Sequence, residues 1–234
     1  MAKIAVITGA SQGIGRSLAR HLVQTGYEVV AGARSMDKLE SLAGEINNAG
    51  GKALALPLDV SDPDSIDTFK NKTEKLGTPS LLINNAGVGR FGPTDEVSLE
   101  DWDTQLNTNL RGAFLVSKAF LPKMKEKKQG NIVFINSVAG IQPFSHSAAY
   151  VASKFGLRGF ASALREELRD YNIKVISVHP GAVNTPFWET ITGEFPADDM
   201  LDMDTLAENI VQNIKSPGNL TVEEMVIRRV AGDF

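Results

Sequence analysis

A tyrosine and a lysine four residues apart form the pair in this sequence best suited to acid/base chemistry. Tyr150 and Lys154 fall in a segment with helical spacing. Positions i and i+4 lie on one face of a helix, so a phenol and an ammonium group can address one pocket. A free tyrosine has a pKa of about 10, too high for an efficient base near neutral pH. Because a fixed positive charge favours the phenolate, we expect Lys154 to lower the pKa of Tyr150 and make it an acid/base. The same spacing on any surface helix would carry no function, so this interpretation depends on other residues.

A glycine-rich turn near the amino terminus is typical of a dinucleotide site. The segment Thr8-Gly9-Ala10-Ser11-Gln12-Gly13-Ile14-Gly15 follows a short apolar run and precedes residues with helical spacing. Glycines permit a tight turn and close approach of the backbone to a pyrophosphate, and the helix N-terminus offers free N–H groups with a partial positive charge. Three glycines could also make a turn that is merely tight. The strand before the turn and the helix after it favour the binding interpretation.

The end of the second predicted strand indicates which dinucleotide binds. In the usual site an acidic residue about twenty positions after the turn binds the ribose 2′-hydroxyl and selects NAD. Here the strand ends at Ala33-Arg34-Ser35. No carboxylate repels a 2′-phosphate at this place, and Arg34 can form a charge-assisted hydrogen bond to one. We therefore predict NADP(H), although Arg34 could instead be a solvated arginine in a loop.

The spacing Gly-x-x-x-Gly-x-Gly and the Tyr-x-x-x-Lys pair together resemble the short-chain dehydrogenase/reductase family. Four further motifs extend the resemblance over essentially the whole chain: Leu58-Asp59-Val60, Asn84-Asn85-Ala86-Gly87, the Asn107–Gly112 segment with Ser137 beyond it, and Pro180-Gly181-Ala182-Val183-Asn184-Thr185. The resemblance implies an oxidoreductase that transfers hydride between NADP(H) and a small molecule. Tyr150 would protonate the alkoxide formed when hydride reaches a carbonyl.

The resemblance also implies a role for each matching residue. The catalytic set is Asn109, Ser137, Tyr150 and Lys154: Ser137 binds the substrate oxygen, Asn109 holds a water that links the lysine to solvent, and Lys154 also binds the nicotinamide ribose. For Asn84 and Asn85, a structural role is as well supported as a binding one. The cofactor-binding set is Gly9, Ser11, Gln12, Gly13, Ile14, Gly15, Arg34, Ser35, Asp59, Val60, Asn85, Ala86, Gly87, Tyr150, Lys154, Pro180, Gly181, Val183 and Thr185.

The elements that must position these residues follow a repeated strand–helix pattern. Strands that are apolar throughout suit a parallel sheet covered by helices on both faces. We predict an α/β, doubly wound, Rossmann-like sheet of about seven strands in a single domain, 1–234, that binds the dinucleotide and carries the catalytic residues. Ligands of such sheets lie outside the carboxyl ends of the strands, and the irregular stretch 184–202 is a candidate substrate lid. The predicted strands are 3–8, 27–33, 52–58, 80–84, 130–136, 173–179 and 223–228, and the helical segments are 13–25, 36–48, 62–76, 99–127, 150–171 and 203–215.

Composition excludes several other classes of function. The 234 residues carry 24 Lys and Arg against 28 Asp and Glu, with no basic block for a phosphate backbone, so we expect no nucleic-acid partner. The absence of cysteine excludes thiolate nucleophiles and Cys-ligated metals. No apolar stretch near the N-terminus could act as a signal or span a membrane, and we expect a cytoplasmic protein with no membrane partner. His21 and His179 lack the partners of a metal site or a triad, so we predict no metal; His146 is expected near the pocket.

The loops after the predicted strands suggest the substrate. Their largely apolar lining favours a small apolar or aromatic ketone, aldehyde or diketone over a phosphorylated sugar. Phe187 and Trp188 could instead anchor the lid against the body. The expected pocket residues are Val88, Arg90, Ala139, Ile141, Phe144, His146, Phe187 and Trp188.

Two other functions and one assembly stay open. A 3-oxoacyl-(acyl-carrier-protein) reductase shares the whole motif set, but an acidic carrier would be repelled by the acidic residues of the lid: Glu189, Glu194, Asp198, Asp199 and Asp202. A non-catalytic NADP(H) sensor would have no need of all four catalytic residues. The family resemblance implies a homodimer or homotetramer built on the helices 99–127 and 150–171, although the small and aromatic residues of the second helix could pack on the sheet instead.

Overall fold

The computed structural model describes residues 3–191, 196–215 and 220–232, and strands alternate with helices along them. The strands are β1 (Lys3–Thr8), β2 (Tyr27–Ala33), β3 (Ala53–Pro57), β4 (Leu81–Asn84), β5 (Gly130–Ile135), β6 (Ile173–Pro180) and β7 (Glu224–Ile227). The α-helices are α1 (Gly13–Gln24), α2 (Met36–Asn48), α3 (Pro63–Glu74), α4 (Leu99–Leu106), α5 (Ala113–Lys127), α6 (Ala148–Leu168) and α7 (Met203–Ile214).

The strands form one parallel sheet with the order β3-β2-β1-β4-β5-β6-β7. The winding direction reverses between β1 and β4, the point at which sheets of this kind bind ligands beyond their carboxyl ends. Side chains alternate between the two faces: Ala5 and Ile7 of β1 belong to one buried apolar cluster, with α1, α2 and α7, and Ile4 and Val6 to the other, with α3, α5 and α6. The predicted doubly wound α/β fold of seven strands is therefore confirmed.

The predicted helical segment 99–127 is not continuous. A π-helical turn, Asn107–Gly112, separates α4 from α5. The side chain of Asn109 binds both backbone groups of Val88 in the loop after β4, and Gly112 packs so closely on Val60 that a Cβ would lie 2.8 Å from its Cγ2. Such turns insert a residue into a helix and are common at functional sites. A hydrophobic period does not report this insertion, so the sequence predicted a single helix.

Candidate active site

A cleft of about 1040 Å³ opens along the carboxyl ends of β1, β4, β5 and β6. Pockets for small ligands measure about 300–1,000 Å³, so this cleft has room for an extended ligand and a small second molecule. Of the residues predicted for catalysis or cofactor binding, all line the cleft except Gly15 and Asn109, which are both buried. The structure thus brings together residues that are up to 176 positions apart, from Gly9 to Thr185.

The glycine-rich turn is shaped by the chain that crosses beneath it. Gly9 (φ 66°) and Gly13 (φ 58°) adopt the left-handed backbone conformation that other residues rarely take. Gly15 has ordinary backbone angles, but a Cβ there would lie 2.4 Å from Asn85 Nδ2 and 2.6 Å from the Gly9 carbonyl oxygen. Gly9 and Gly13 are therefore required by the backbone conformation of the turn, whereas Gly15 allows the segment after β4 to pack closely against it.

Asn85 links the two strands at the switch point. Its Nδ2 donates hydrogen bonds to the carbonyl oxygens of Thr8 (2.9 Å) and Gly9 (3.0 Å), and the Thr8 hydroxyl accepts hydrogen bonds from the backbone N–H groups of Asn85 and Ala86. Asn84 lies beneath the surface and donates to the Ser117 hydroxyl. Both asparagine side chains connect neighbouring elements, which favours a structural role over cofactor binding for these side chains. Asn85 also lines the cleft.

The first turn of α1 faces the cleft without a capping side chain. Described side chains cap α3, α4 and α7 (Asp62, Ser98 and Asp202), whereas none caps α1, whose preceding residue is Gln12. The backbone N–H groups beside Gly13 are therefore available to an anion at the positive end of the helix. A nicotinamide dinucleotide fits here, because its pyrophosphate would lie on these groups.

Two cations lie at the β2 end of the cleft. Arg34 lines the cleft, as predicted, and its charge acts on Asp59. Lys38, in the first turns of α2, donates a 2.9 Å hydrogen bond to Gln12 Oε1 of the glycine-rich turn. Sequence reasoning missed Lys38, although its position four residues after Arg34 could have indicated it. Burial alone would raise the pKa of Asp59, but hydrogen bonds from Ser61 and the charge of Arg34 outweigh it and hold that pKa below its usual value.

Ser137 and Tyr150 meet at the centre of the cleft. Ser137 follows β5, Tyr150 lies in the first turn of α6, and the Ser137 hydroxyl faces the Tyr150 phenol. Burial raises the pKa of Tyr150 to about 12, and the polar contact of Ser137 opposes that rise. The expectation that the Tyr150 pKa lies below its ordinary value is wrong for the protein by itself, because removal of the phenol from water outweighs the opposing contact.

Lys154 lies one helical turn beyond Tyr150 and is buried. Its Nζ is 5.6 Å from the centroid of the Tyr150 ring and donates a 3.1 Å hydrogen bond to the carbonyl oxygen of Ile135 at the end of β5. Burial lowers the pKa of Lys154 to about 8. A Cβ on Gly87 would lie 3.8 Å from this Nζ, so the lysine reaches the floor of the cleft beside a backbone without a side chain.

Asn109 is enclosed by the π-helical turn. Its Oδ1 accepts a hydrogen bond from the Val88 N–H (2.8 Å), and its Nδ2 donates to the Val88 carbonyl (2.9 Å) and to the Ser153 hydroxyl (3.0 Å). Its side chain therefore joins the loop after β4 to the helix that carries Tyr150 and Lys154. The predicted role of Asn109 in holding a water stays a prediction.

The three histidines occupy different environments. His179 is fully buried behind the site, and its Nδ1 lies 3.1 Å from the backbone carbonyl oxygen of Ser137. Burial lowers the pKa of His179, so the ring is neutral and Nδ1 donates to that oxygen. His146 is exposed at the cleft with φ 59°, and His21 bonds the Ser17 carbonyl on α1. No group of three or more His, Asp or Glu side chains in the described ranges could hold a metal ion.

The substrate end of the cleft is aromatic. Phe144, Phe187 and Trp188 line it as predicted, but Ile141 does not. Phe91, which the sequence analysis did not select, lies with its ring centroid 5.4 Å from that of Tyr150. Phe91 lies in the loop after β4, where no strand or helix period marks a residue.

The predicted lid can be assessed only in part, because Glu194 and the rest of 192–195 lie outside the described residues. Trp188 Nε1 donates to the Val183 carbonyl, which anchors the start of the segment. Two of the acidic residues are engaged: Asp199 pairs with Arg229 at 2.8 Å, and Asp202 caps α7. A moving lid stays a prediction.

The fold and the cleft define a dinucleotide-binding α/β enzyme, and comparison with known proteins shows which family. The family model for short chain dehydrogenases matches residues 3–194. Sepiapterin reductase of Chlorobaculum tepidum is 36% identical, with 100% of this chain and 99% of the relative covered. A 3-oxoacyl-(acyl-carrier-protein) reductase of Thermotoga maritima is 37% identical over 81% of this chain and 77% of its own.

Among solved structures, an alcohol dehydrogenase from the archaeon Thermococcus sibiricus, complexed with 5-hydroxy-NADP, superimposes with a TM-score of 0.91 at 33% identity over 97% of each chain. The chain belongs to the short-chain dehydrogenase/reductase family, as predicted, and is an oxidoreductase of that family. Within the described residues, no helix combines the length and apolar character that a membrane span requires.

Proposed function

We propose that this protein is an NADP(H)-dependent oxidoreductase that interconverts a carbonyl and an alcohol on a small apolar ketone, aldehyde or diketone. The observation that carries the proposal is that Ser137, Tyr150 and Lys154 line the same cleft as the glycine-rich turn, with Lys154 Nζ 5.6 Å from the centroid of the Tyr150 ring. An acid/base, a donor for the substrate oxygen and a dinucleotide cradle are thus adjacent. These are the parts that a carbonyl–alcohol interconversion requires.

The residues of the chain divide the reaction between them. When bound, the cofactor supplies a hydride to the carbonyl carbon or accepts one from the alcohol. Tyr150 gives its hydroxyl proton to the carbonyl oxygen during reduction and takes it back during oxidation. Ser137 donates a hydrogen bond to the same oxygen, and the ammonium of Lys154 favours the phenolate that remains on Tyr150. The raised pKa of Tyr150 keeps its proton in place until the substrate oxygen gains negative charge, which suits the reductive direction.

NADP(H) is favoured over NAD(H) by the charges at the β2 end. Arg34 lines the cleft after β2, Lys38 contacts Gln12 of the glycine-rich turn, and both are positive, whereas a 2′-phosphate would carry about two negative charges to that end of the cleft. The solved relative from Thermococcus sibiricus carries a derivative of the same cofactor. Asp59 near Arg34 offsets part of the positive charge, so we expect a preference for NADPH rather than exclusion of NADH.

The test follows NADPH consumption at 340 nm with a panel of ketones, aldehydes and diketones, for the wild-type protein and Tyr150→Phe. General acid catalysis contributes about 10²- to 10⁴-fold, so we expect kcat to fall by about that factor. NADPH binding, measured by titration, should change less than about threefold, because the phenylalanine keeps the ring and its contacts. Equal turnover in the two proteins would contradict the assignment of Tyr150, and NADPH binding without turnover of any carbonyl would favour the sensor.

A carrier-bound substrate is the second candidate, because a relative 37% identical is a 3-oxoacyl-(acyl-carrier-protein) reductase. The acidic residues of the predicted lid argue against it, but less strongly than expected, since Arg229 neutralises Asp199. The two functions are separated by comparing kcat/KM for a 3-oxoacyl chain on its carrier protein with kcat/KM for the same chain on a short thioester. Preference for the carrier would support this second function.

A homodimer or homotetramer is proposed on the residues that α5 and α6 leave exposed. Phe114 and Phe155 are 43% and 42% exposed. Phe160, by contrast, packs on Phe134 of the sheet and on Phe114. The second helix therefore uses its aromatic residues both for the core and for the surface, and sedimentation of the purified protein tests whether the surface is shared.

A further inference from the structure

Four aromatic rings form a continuous wall around the proposed acid/base. This aromatic cluster consists of Phe91, Tyr150, Phe187 and Trp188. The ring centroid of Phe91 lies 5.4 Å from that of Tyr150 and 6.2 Å from that of Phe187, and Phe187 lies 5.9 Å from Tyr150 and 5.6 Å from Trp188. Three of the four pairs are edge-to-face, with interplanar angles of 63–88°, as aromatic rings prefer, and Phe187 is tilted by 50° to Tyr150.

The backbone beneath the aromatic cluster makes room for it. Gly89 is buried, and a Cβ there would lie 2.4 Å from Phe187 Cζ and 3.2 Å from Phe91 Cζ. Any larger residue would displace the Phe187 ring from its place beside Tyr150. Phe187 comes from the loop after β6 and Phe91 from the loop after β4, so only the fold brings the two rings to the same oxygen-binding position.

Two polar groups near this wall, the Arg90 guanidinium and the backbone carbonyl of His146, have partners within the protein. Arg90 donates to the Gly89 carbonyl (2.9 Å) and lies 3.7 Å from Asp101, and the carbonyl of His146 accepts a hydrogen bond from the Gly92 N–H (2.7 Å). The Tyr150 ring is flanked by the rings of Phe91 and Phe187, while Ser137 lies on the side of its hydroxyl. Because Tyr150 belongs to the wall and also protonates the substrate oxygen, the part of a substrate that touches the wall is the part bonded directly to its carbonyl.

We propose that the aromatic cluster selects carbonyl compounds in which a flat aromatic ring is joined directly to the reacting carbonyl group. This inference rests on the proposed function and specifies its substrate class. A ring conjugated to a carbonyl lies in the carbonyl plane, so packing of that ring against Phe91 and Phe187 also sets which face of the carbonyl carbon is presented. An aliphatic substituent of equal volume gains the same burial but lacks the contact between rings.

The experiment compares 1-phenyl-1,2-propanedione with 1-cyclohexyl-1,2-propanedione, which differ in flatness and aromaticity but little in size. Contacts between aromatic rings contribute about 2- to 12-fold beyond area burial. We therefore expect kcat/KM with NADPH to be higher for the phenyl compound by a factor in that range. In Phe91→Leu and Phe187→Leu, the ratio of the two kcat/KM values should fall toward 1. The control Phe114→Leu removes a more exposed phenylalanine on α5, outside the cleft, and should leave the ratio unchanged.

The outcomes separate the inference from the function on which it rests. A wild-type ratio of 1 or below, or a ratio that Phe91→Leu and Phe187→Leu both leave unchanged in folded protein, overturns the inference and leaves the proposed function intact. Consumption of an aliphatic diketone but of neither test compound does the same. Failure to consume any carbonyl of the panel overturns both. Thermal unfolding of each variant shows that the protein is folded, and Gly89→Ala, which displaces Phe187 without removing a ring, should lower the ratio as well.

Discussion

At the residue scale, the proposed acid/base pair shows a conflict between burial and charge. Tyr150 and Lys154 are each pushed by burial toward the neutral form, so the pKa of the phenol rises to about 12 and that of the amine falls to about 8. The ammonium of Lys154 donates a hydrogen bond to the carbonyl oxygen of Ile135, and a backbone oxygen compensates only part of the lost hydration. Reactive groups held in this way are expected to lower the stability of the protein that carries them.

We therefore predict that Lys154→Met stabilises the protein while it removes activity. The pKa of Lys154 is about 8 in the folded state against an ordinary value of 10.5, so the charged form disfavours folding. That cost is present in full below pH 8 and disappears as pH rises from 8 toward 10.5. At pH 7 the variant should gain about 1–3 kcal/mol in free energy of unfolding, measured in urea.

The exposed Lys118→Met provides the control and should show no such pH-dependent gain. A Lys154→Met protein that is less stable than the wild type at pH 7 would mean that the ammonium is well solvated or paired. A gain that persists undiminished at pH 10.5 would likewise argue against the buried charge as its cause.

The sequence was sufficient to select the residues with reactive side chains. It did not reveal residues that act only through the neighbours that the fold gives them. Tyr150, Lys154 and Ser137 carry a recognisable spacing and strand-end context. Phe91 and the contact between His179 and the Ser137 carbonyl have none, because the partners come from different loops or strands. The raised pKa of Tyr150 could not be predicted from the neighbouring sequence either, because the burial of the ring depends on all the elements that pack around it.

At the element scale, the glycine-rich turn and the strand that crosses it act as one unit. Gly15 touches Asn85 of the segment after β4, which in turn holds the carbonyls of Thr8 and Gly9. Alternation and helical spacing predicted the seven strands and most helix ends, because burial on both faces leaves continuous apolar runs. The π-helical turn Asn107–Gly112 escaped prediction because its cause, a hydrogen-bonded contact with Val88, is not local in sequence.

We predict that Gly15→Ala separates these elements. The new methyl group meets a backbone oxygen at 2.6 Å, which cannot give way without moving the turn. We expect a loss of about 1–3 kcal/mol in stability and weaker NADPH binding, since the turn can no longer hold its N–H groups in place. Gly44→Ala on α2, where a Cβ meets nothing within 4 Å, should instead gain about 0.5–1 kcal/mol. A Gly15→Ala protein that keeps both wild-type stability and NADPH affinity would refute this account.

At the scale of the whole molecule, the sheet order brings the proposed functional residues together at the carboxyl ends of the strands. The turn after β1, the loops after β4 and β5, and the segment after β6 meet there, although β4 and β1 are separated by the α1–α3 region of the chain. A ligand that spans these strand ends would contact elements from both halves of the sheet. Binding is therefore coupled to the stability of the entire fold.

We predict that NADPH raises Tm more than NADH does, and that Arg34→Leu removes most of that difference. At about 100 times Kd a ligand adds about 2.7 kcal/mol, which corresponds to roughly 5–10 °C for a chain of this size. Differential scanning fluorimetry with each cofactor measures the shift. Arg169→Leu, an exposed arginine that does not line the cleft, should leave the NADPH advantage intact. If Arg34→Leu kept the full difference between the NADPH and NADH shifts, the 2′-phosphate would have to contact another group. Lys38 would then be the first residue to replace.

The glycine at position 89 has a consequence for how the protein can change over generations. Phe91 and Phe187 are held by ring contacts on loops, whereas Ser137 and Lys154 are tied by hydrogen bonds to strand ends and buried helices. A single nucleotide change can convert either phenylalanine codon to a leucine codon. Such a change alters which substrates bind but leaves the residues that carry out the reaction in place. Because Gly89 has no side chain, a differently shaped neighbour can then occupy the space that the Phe187 ring fills. Selectivity can therefore drift quickly while the reaction itself is inherited unchanged.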